Sequence, residues 1–295
     1  MLVVGAASRD LAPVDPRGWR LGGAVSYGTL ALARLGVRTR ALIGADALAA
    51  DAAELEVLRH AGVDVSVARL AAGPVFRNEE RRDGRRQRCL SVSAVIAPRR
   101  LPEGWAIDAD AVVLAPVAGE LEDEWALVPA GGTFVALGWQ GLLRSLAAGH
   151  DVERVEPSAR PLVSRANLLG VSEDDLGPEV RLSRLVDLVS VGAGVLVTRG
   201  DRGGSLLTSR RPARSGLRAY PAIPSNRVVD PTGAGDVFLA ALVATIVDGP
   251  RLGIGDGWPE RLTFAAAAGS LAVEGPGLAG VPTLDAIRRR VAEVA

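Results

Sequence analysis

The stretch "VVDPTGAGDVF", Val228 to Phe238, sets a carboxylate behind two glycines and runs directly into the apolar "LAALVATIV". Gly233 and Gly235 let the backbone pass close to a ligand. The apolar run reads as a helix opened by Asp236, whose first turn presents N–H groups with no partner inside the helix. Those donors and the positive end of the helix dipole make an anion site, suited to a terminal phosphate and to the charge it develops during transfer. A plain helix N-cap is the other use for Asp236, although a cap needs neither the preceding Asp230-Pro231-Thr232 nor so much glycine.

What the chain lacks narrows the chemistry. It has no lysine, which rules out a Schiff base and a phosphate loop of the GxxxxGK[ST] kind, so any phosphate site must use backbone N–H groups and arginine. Cys89 is the single cysteine and His60 and His150 are the two histidines, so neither a disulfide framework nor a Cys/His zinc site can be built. Cys89 reads as a small apolar residue, and His60 as a surface residue at the end of a helix. Thirty-four basic residues balance thirty-four acidic ones, and no net field draws the chain to nucleic acid or to an anionic membrane. The expected partner is a small molecule. No apolar stretch reaches the roughly 18 residues of a membrane span, and "MLVVGAASRD" lacks the basic flank of a secretory signal, so the expected location is cytoplasmic.

Residues of these types need a frame to hold them. The runs "MLVVGAA", "TRALIGA", "AVVLAPV", "TFVALGW", "ANLLGV" and "GVLVTRG" read as strands, and "VSYGTLALARLG" and "DAAELEVLRHAG" as helices between them. Strands so continuously apolar imply a mostly parallel sheet covered on both faces. One segment breaks the rhythm: in "GPVFRNEERRDGRRQRCLSVSAVI", Gly73 to Ile96, two polar-alternating strands flank Asp83-Gly84 as a hairpin turn. With those two residues as the loop, Arg82 opposes Arg85, Glu80 opposes Gln87, Asn78 opposes Cys89 and Phe76 opposes Ser91. Arg77, Glu79, Arg81, Arg86 and Arg88 fall on the other face, with Glu79 opposite Arg88. The first face suits a cover over a polar uncharged ligand; a solvated hairpin fits the pattern equally. No linker rich in Gly, Ser or Pro divides the chain after "FVALGW", so one domain is expected.

"VVDPTGAGDVF" closely resembles the C-terminal signature of the ribokinase-like (PfkB) carbohydrate kinases, and "LGGAVSYGTLALARLG" resembles their N-terminal signature. "MLVVGAASRD", "VLVTRGDRGG" and "FAAAAGSLAVEGPGLAGVP" extend the likeness over nearly the whole chain. The resemblance implies a single three-layer α/β domain over residues 1–295, with a central mostly parallel sheet and a small β lid drawn from about 10–22 and 72–97. It implies phosphorylation of a hydroxyl by MgATP, with Asp236 as general base and the N–H groups around Gly233, Ala234 and Gly235 stabilising the phosphoryl group. Asp10, Gly22 and Gly23 would meet the substrate. Thr198, Arg199, Gly200 and Thr232 would lie along the nucleotide, and Asp230 and Thr232 would hold a monovalent cation such as K+. Taken without the resemblance, Asp10 is a loop or cap aspartate, Thr198 to Gly200 an ordinary turn, and Asp230 a turn aspartate before proline.

The chain departs from the family pattern at three places. Tyr27 stands where the first signature usually has asparagine, and either meets the substrate or only packs. The N-x-x-E element that organises Mg2+ through water appears as Ser172-Glu173-Asp174-Asp175, leaving Asp175 for the glutamate's part. Ala266 stands where an asparagine often lies near adenine. "WQGLLR", Trp139 to Arg144, resembles a stretch in a subgroup of short members that has myo-inositol kinases among its relatives; Gln140 and Arg144 either line the site or have no function. The expected acceptor is a neutral sugar or polyol, with a cyclitol as one candidate, because the lid face bearing Asn78 and Gln87 is largely uncharged and most of the arginines fall on the other face. A nucleoside kinase and a non-catalytic sugar-binding protein are the alternatives. A lid of two or three strands is marginal alone, so a homodimer through the lid is expected.

Overall fold

The computed structural model describes residues 1–81, 84–209 and 216–294. Its strands are β1 (Leu2–Ala6), β2 (Ser8–Leu11), β3 (Trp19–Gly22), β4 (Arg40–Ala45), β5 (Asp64–Arg69), β6 (Val75–Arg81), β7 (Gly84–Ser91), β8 (Ala111–Leu114), β9 (Phe134–Gly138), β10 (Arg144–Ser145), β11 (Glu153–Arg154), β12 (Leu168–Ser172), β13 (Gly194–Thr198), β14 (Gly204–Thr208) and β15 (Gly216–Tyr220). The helices include α1 (Ala24–Arg34), α2 (Ala47–Ala50), α3 (Ala53–His60), α4 (Pro161–Arg165), α5 (Leu182–Leu185), α6 (Ala234–Leu252), α7 (Trp258–Ala272) and α8 (Leu284–Val294). Each of the six apolar runs forms a strand.

Nine strands make one sheet in the order β15-β14-β13-β12-β9-β8-β1-β4-β5, parallel from β13 to β5 and antiparallel at β14 and β15. Apolar side chains alternate to both faces. Val3, Ala41, Ile43 and Val113 pack with α1, α3, α6 and α7, while Leu2, Val4, Leu114 and Leu137 pack with Trp125, Trp139 and Leu162 on the opposite side. From β1 the chain first winds one way through β4 and β5 and then the other way from β8 onward. The carboxyl ends of β1 and β8 therefore flank a reversal of strand order, where doubly wound sheets leave a crevice.

A second sheet, β3-β2-β6-β7, rises from this end. Its β6–β7 register differs from the expected one: Phe76 pairs Cys89, Asn78 pairs Gln87 and Glu79 pairs Arg86, with a bulge between Val75 and Phe76. The slip is two residues, so each described side chain keeps its expected face. It places Phe76 against Cys89, both buried, and lets Gln87 Nε2 donate to Asn78 Oδ1 at 2.7 Å. Gly84 belongs to β7; Arg82 and Asp83 of the expected turn lie outside the described residues.

The outer edge of β7 is bonded within the chain. Cys89 N–H donates to His150 O at 2.9 Å, Gly149 N–H to Cys89 O at 2.8 Å and Val152 N–H to Gln87 O at 2.9 Å, and Arg86 pairs with Asp151. Residues 145–154 thus form a strap from the β10–β11 ribbon to the second sheet. Cys89 is buried, and His60 closes α3 at the surface with Nδ1 2.8 Å from Glu56 O. Among the described residues no helix is long and apolar enough to cross a membrane.

Candidate active site

A cleft of about 2040 Å³ opens along the carboxyl ends of β1, β8, β9, β12 and β13 and beneath the second sheet. Helix α6 enters it end-on. The helix begins two residues before the expected start, with Gly233 as N-cap at φ 79° and Asp236 in the third helical position rather than at the cap. Glycine is required at 233 twice over: the left-handed backbone disfavours a side chain, and a Cβ there would come within 2.3 Å of the Tyr27 ring. The first-turn N–H groups of Gly235 and Asp236 are thereby left open beside the cleft that these residues line, while Ala234 N–H donates to Pro231 O at 3.4 Å.

Asp236 is half-buried, and its carboxylate makes no hydrogen bond among the described residues. Burial pushes its acid constant up to about 7; the Arg144 guanidinium opposes that shift and the Asp175 carboxylate adds to it. An acid so poised accepts a proton near neutral pH and is a weak resident anion below it.

At the β1 end the cleft is lined by Ser8, Asp10, Gly23, Tyr27, Phe76 and Gln87. Ser8 Oγ donates to Asp10 Oδ1 at 3.1 Å. Gly22 does not line the cleft; it makes room for Asp10, whose Oδ2 would lie 2.3 Å from a Cβ at 22. Asn78 also stands back, holding Gln87. Tyr27 is buried, and burial together with Asp230, Asp10 and Asp236 pushes its phenol well up, so the O–H remains a donor among carboxylates. The wall at Pro116 and Val117 is set by Glu120, which sequence reasoning missed. Glu120 is 1% exposed, and accepts from Ala6 N–H at 2.8 Å, Val117 N–H at 3.1 Å and Ala118 N–H at 2.8 Å. Burial raises its acid constant.

Toward β13 the cleft is lined by Thr198, Gly200, Thr232, Ala266 and an apolar wall of Ile223, Val228 and Val273. Arg199 is turned away, donating to Glu173 Oε1 at 2.8 Å and to Ser205 Oγ at 3.0 Å. Asp230 lies behind the cleft as a turn aspartate: it accepts from Thr232 N–H at 3.0 Å and Gly277 N–H at 3.1 Å, with the Arg20 guanidinium 3.8 Å away. The positive charge beside Asp230 is thus an arginine of the chain.

No group of three or more His, Cys, Asp or Glu side chains is poised to hold a metal among the described residues. Asp175 accepts from Gln140 Nε2 at 3.2 and 3.0 Å and from Arg144 Nη2 at 3.1 Å. Its oxygens retain room for a metal-bound water, so the residues fit Mg2+ held through water and not a direct carboxylate cage.

Residues 171–284 match the family described as pfkB family carbohydrate kinase. Ribokinase from Arabidopsis thaliana is 40% identical over 81 residues, 27% of this chain; the match spans only 18% of that relative's length. The whole chain superposes on a pyrophosphate-dependent kinase of the ribokinase family complexed with a pyrophosphate analog and myo-inositol, at TM-score 0.73 and 19% identity, covering 100% of this chain and 99% of that one. It superposes also on Arabidopsis thaliana ribokinase complexed with ribose and ATP, at TM-score 0.65 and 19% identity, covering 98% of each chain. The three-layer α/β architecture is therefore that of the ribokinase-family kinases.

Proposed function

From a chain whose residues 171–284 match the pfkB family carbohydrate kinases and whose fold is ribokinase-like throughout, we propose a phosphotransferase that moves the terminal phosphoryl group of ATP onto a hydroxyl of a small neutral sugar or polyol, with a cyclitol as the leading candidate. The observation that carries this reading is Asp236, a half-buried carboxyl with an acid constant of about 7, beside the open first turn of α6.

The acceptor lies against Asp10, Ser8, Gln87 and the Tyr27 phenol, groups that exchange hydrogen bonds with hydroxyls and carry little net charge to hold a sugar phosphate. As the acceptor oxygen forms its bond to phosphorus, its proton passes to Asp236. The bridging P–O bond of the donor breaks, and the electron pair leaves with ADP. The N–H groups of Gly235 and Asp236, joined by Ala234 N–H once it leaves its long bond to Pro231 O, meet the charge that grows on the phosphoryl oxygens. Asp175 would hold Mg2+ through water, and the ion would supply charge neutralisation of the phosphates. The second sheet excludes water over the acceptor, which limits hydrolysis of ATP.

A nucleotide donor is supported by the apolar wall of Ile223, Val228, Ala266 and Val273, which pyrophosphate would leave empty. Such a donor suits a cytoplasmic enzyme. A homodimer through the second sheet would use the outer face of β6 and β7, because the edge of β7 is already bonded to the strap. Product release with ATP, GTP and pyrophosphate, each against neutral polyols, hexose phosphates and nucleosides, tests the reading. ATP with a neutral polyol should be fastest. Faster turnover of a hexose phosphate or a nucleoside would overturn the acceptor class, and faster turnover with pyrophosphate the donor.

A further inference from the structure

Arg290 of α8 is the one arginine buried among the described residues, at 6% exposure. Ile287, one turn earlier, joins the core, and α8 lies against α7. The guanidinium reaches beyond the two helices. Its Nη1 donates to Ser270 Oγ of α7 at 3.0 Å and to Pro224 O at 3.1 Å, and its Nη2 donates to Glu274 Oε1 at 2.9 Å. Nε lies 3.3 Å from Glu293 Oε2, an exposed carboxylate of α8 itself.

Pro224 belongs to the connection from β15 to α6, residues 221–233, which forms no strand or helix. Ile223, Pro224, Ser225 and Val228 of this connection line the β13 end of the cleft. Such a run has no ladder to fix it, so its shape rests on groups that reach its backbone. Several converge here from the end of α7. Ser270 Oγ donates to Pro224 O at 3.1 Å, Glu274 Oε1 accepts from Asn226 N–H at 2.7 Å, and Val273 O accepts from Val229 N–H at 2.7 Å. Arg227 Nε donates to Glu274 O at 3.1 Å. Arg290 and Glu274 thus bind each other and, in addition, one backbone group each of the connection. An apolar pair of the same volume would dock α8 onto α7 at least as well. It would leave Asn226 N–H without this acceptor and Pro224 O with one donor fewer, so the pair is tied to the placement of the wall more than to the packing of the helix.

We propose that Arg290 and Glu274 are positioning residues for the donor: they hold the 223–228 wall where it receives the nucleoside end of the nucleotide, and they govern donor affinity without touching the transferred phosphoryl group. The inference rests on the nucleotide-donor reading, and its test separates the two.

The test uses the full chain as wild type, Arg290→Met, Arg290→Lys and Arg288→Met, with calorimetric binding of ADP and Mg2+, thermal melts, and turnover of the best acceptor. Ordering a loosened wall on binding should weaken ADP about tenfold in Arg290→Met. The ATP KM should rise by a similar factor while kcat and the acceptor KM stay within about twofold, because the lost interaction is made equally in ground and transition states. Arg290→Lys keeps the charge beside Glu274 and should restore part of the affinity. Arg288 Nη2 donates to Leu252 O at 3.2 Å, at the end of α6 remote from Asp236, so Arg288→Met loosens the same helix without touching the wall; it should lower Tm and leave ADP within about twofold. Should Arg290→Met fail to fold, Ser270→Ala, which removes the other donor to Pro224 O, carries the comparison with a smaller loss of ADP affinity. ADP binding within twofold of wild type in a folded Arg290→Met, equal weakening in Arg288→Met, or a fall in kcat at unchanged ATP KM would overturn the assignment. Wild type that binds ADP but phosphorylates no acceptor would sink the proposed acceptor class alone, since the binding arm still decides Arg290. Wild type that binds pyrophosphate and not ADP would remove the nucleotide donor and this assignment with it.

Discussion

Replacing Asp236 by asparagine should stabilise the folded protein at alkaline pH while abolishing turnover. The carboxyl is moved from an ordinary 3.8 to about 7 by burial. Below about pH 4 both folded and unfolded chains hold the proton, and the site costs nothing. As pH rises toward 7 the unfolded chain releases the proton while the folded chain retains it, so folding loses ground; above 7 the full cost of burying the anion is paid. A displacement of this size corresponds to at most about 4 kcal/mol, which solvent in the open cleft screens to about 1–3 kcal/mol. For a domain of this size that is about 2–6 °C in Tm. Asparagine never ionises, so the Tm difference between variant and wild type should be smallest near pH 4 and grow toward pH 8. Any fixed cost of the amide shifts both ends equally and leaves the slope intact. Thermal melts across that range measure the slope, and phosphorylation assays on the same samples should show a loss of about 10² to 10⁴. A Tm difference that is flat with pH would refute the buried-carboxyl argument, and near-wild-type turnover would refute the base.

Turnover of wild type under kcat/KM conditions should fall about tenfold per pH unit below about 7, because only the ionised Asp236 accepts a proton; a profile flat to pH 5 would contradict this. Gly233→Ala should cost about 2 kcal/mol or more in thermal or urea melts, from the left-handed backbone and the collision with Tyr27, and adding Tyr27→Ala should restore part of it. Glu120→Gln should cost about 1–3 kcal/mol, since an amide cannot accept on both sides as the carboxylate does, and should raise the acceptor KM more than it lowers kcat as the 116–118 wall loosens. Exchanging Na+ for K+ should change the rate less than about twofold, because Asp230 is already met by two N–H groups and the Arg20 guanidinium; marked activation by K+ would show that Arg20 yields its place.

The main sheet was legible because its strands are buried on both faces, and runs such as "LVVGA" and "GVLVT" have few other ways to satisfy their backbone while staying dry. Faces of the β6–β7 hairpin were legible for a similar reason: the period of two survives a slip of two residues. The register itself was not, because Asp83-Gly84 is a strong turn signal locally, whereas the pairing is decided by burial of Phe76 against Cys89 and by the Asn78–Gln87 hydrogen bond, contacts that no local pattern encodes. The start of α6 was misjudged for an analogous reason. Aspartate is a better N-cap than glycine by propensity, but the closeness of Tyr27, two hundred residues earlier, demands a glycine with positive φ at 233 and carries the helix start with it.

Within the cleft, the residues that could be read from sequence were those whose type already implies their contact with a ligand: a carboxylate behind glycines, an aspartate at the end of β1. Residues that act by holding other residues could not be read. Gly22 makes room for Asp10, Glu120 gathers N–H groups from β1 and from the loop after β8, and Gln140 and Arg144 meet Asp175 across more than thirty positions of chain. Each is ordinary in its own neighbourhood, and its meaning appears only where three strand ends converge. The same convergence brings the Arg144 guanidinium of β10 and the Asp175 carboxylate after β12 near Asp236, the first lowering its acid constant and the second raising it, while burial, the largest of the three effects, carries it to about 7.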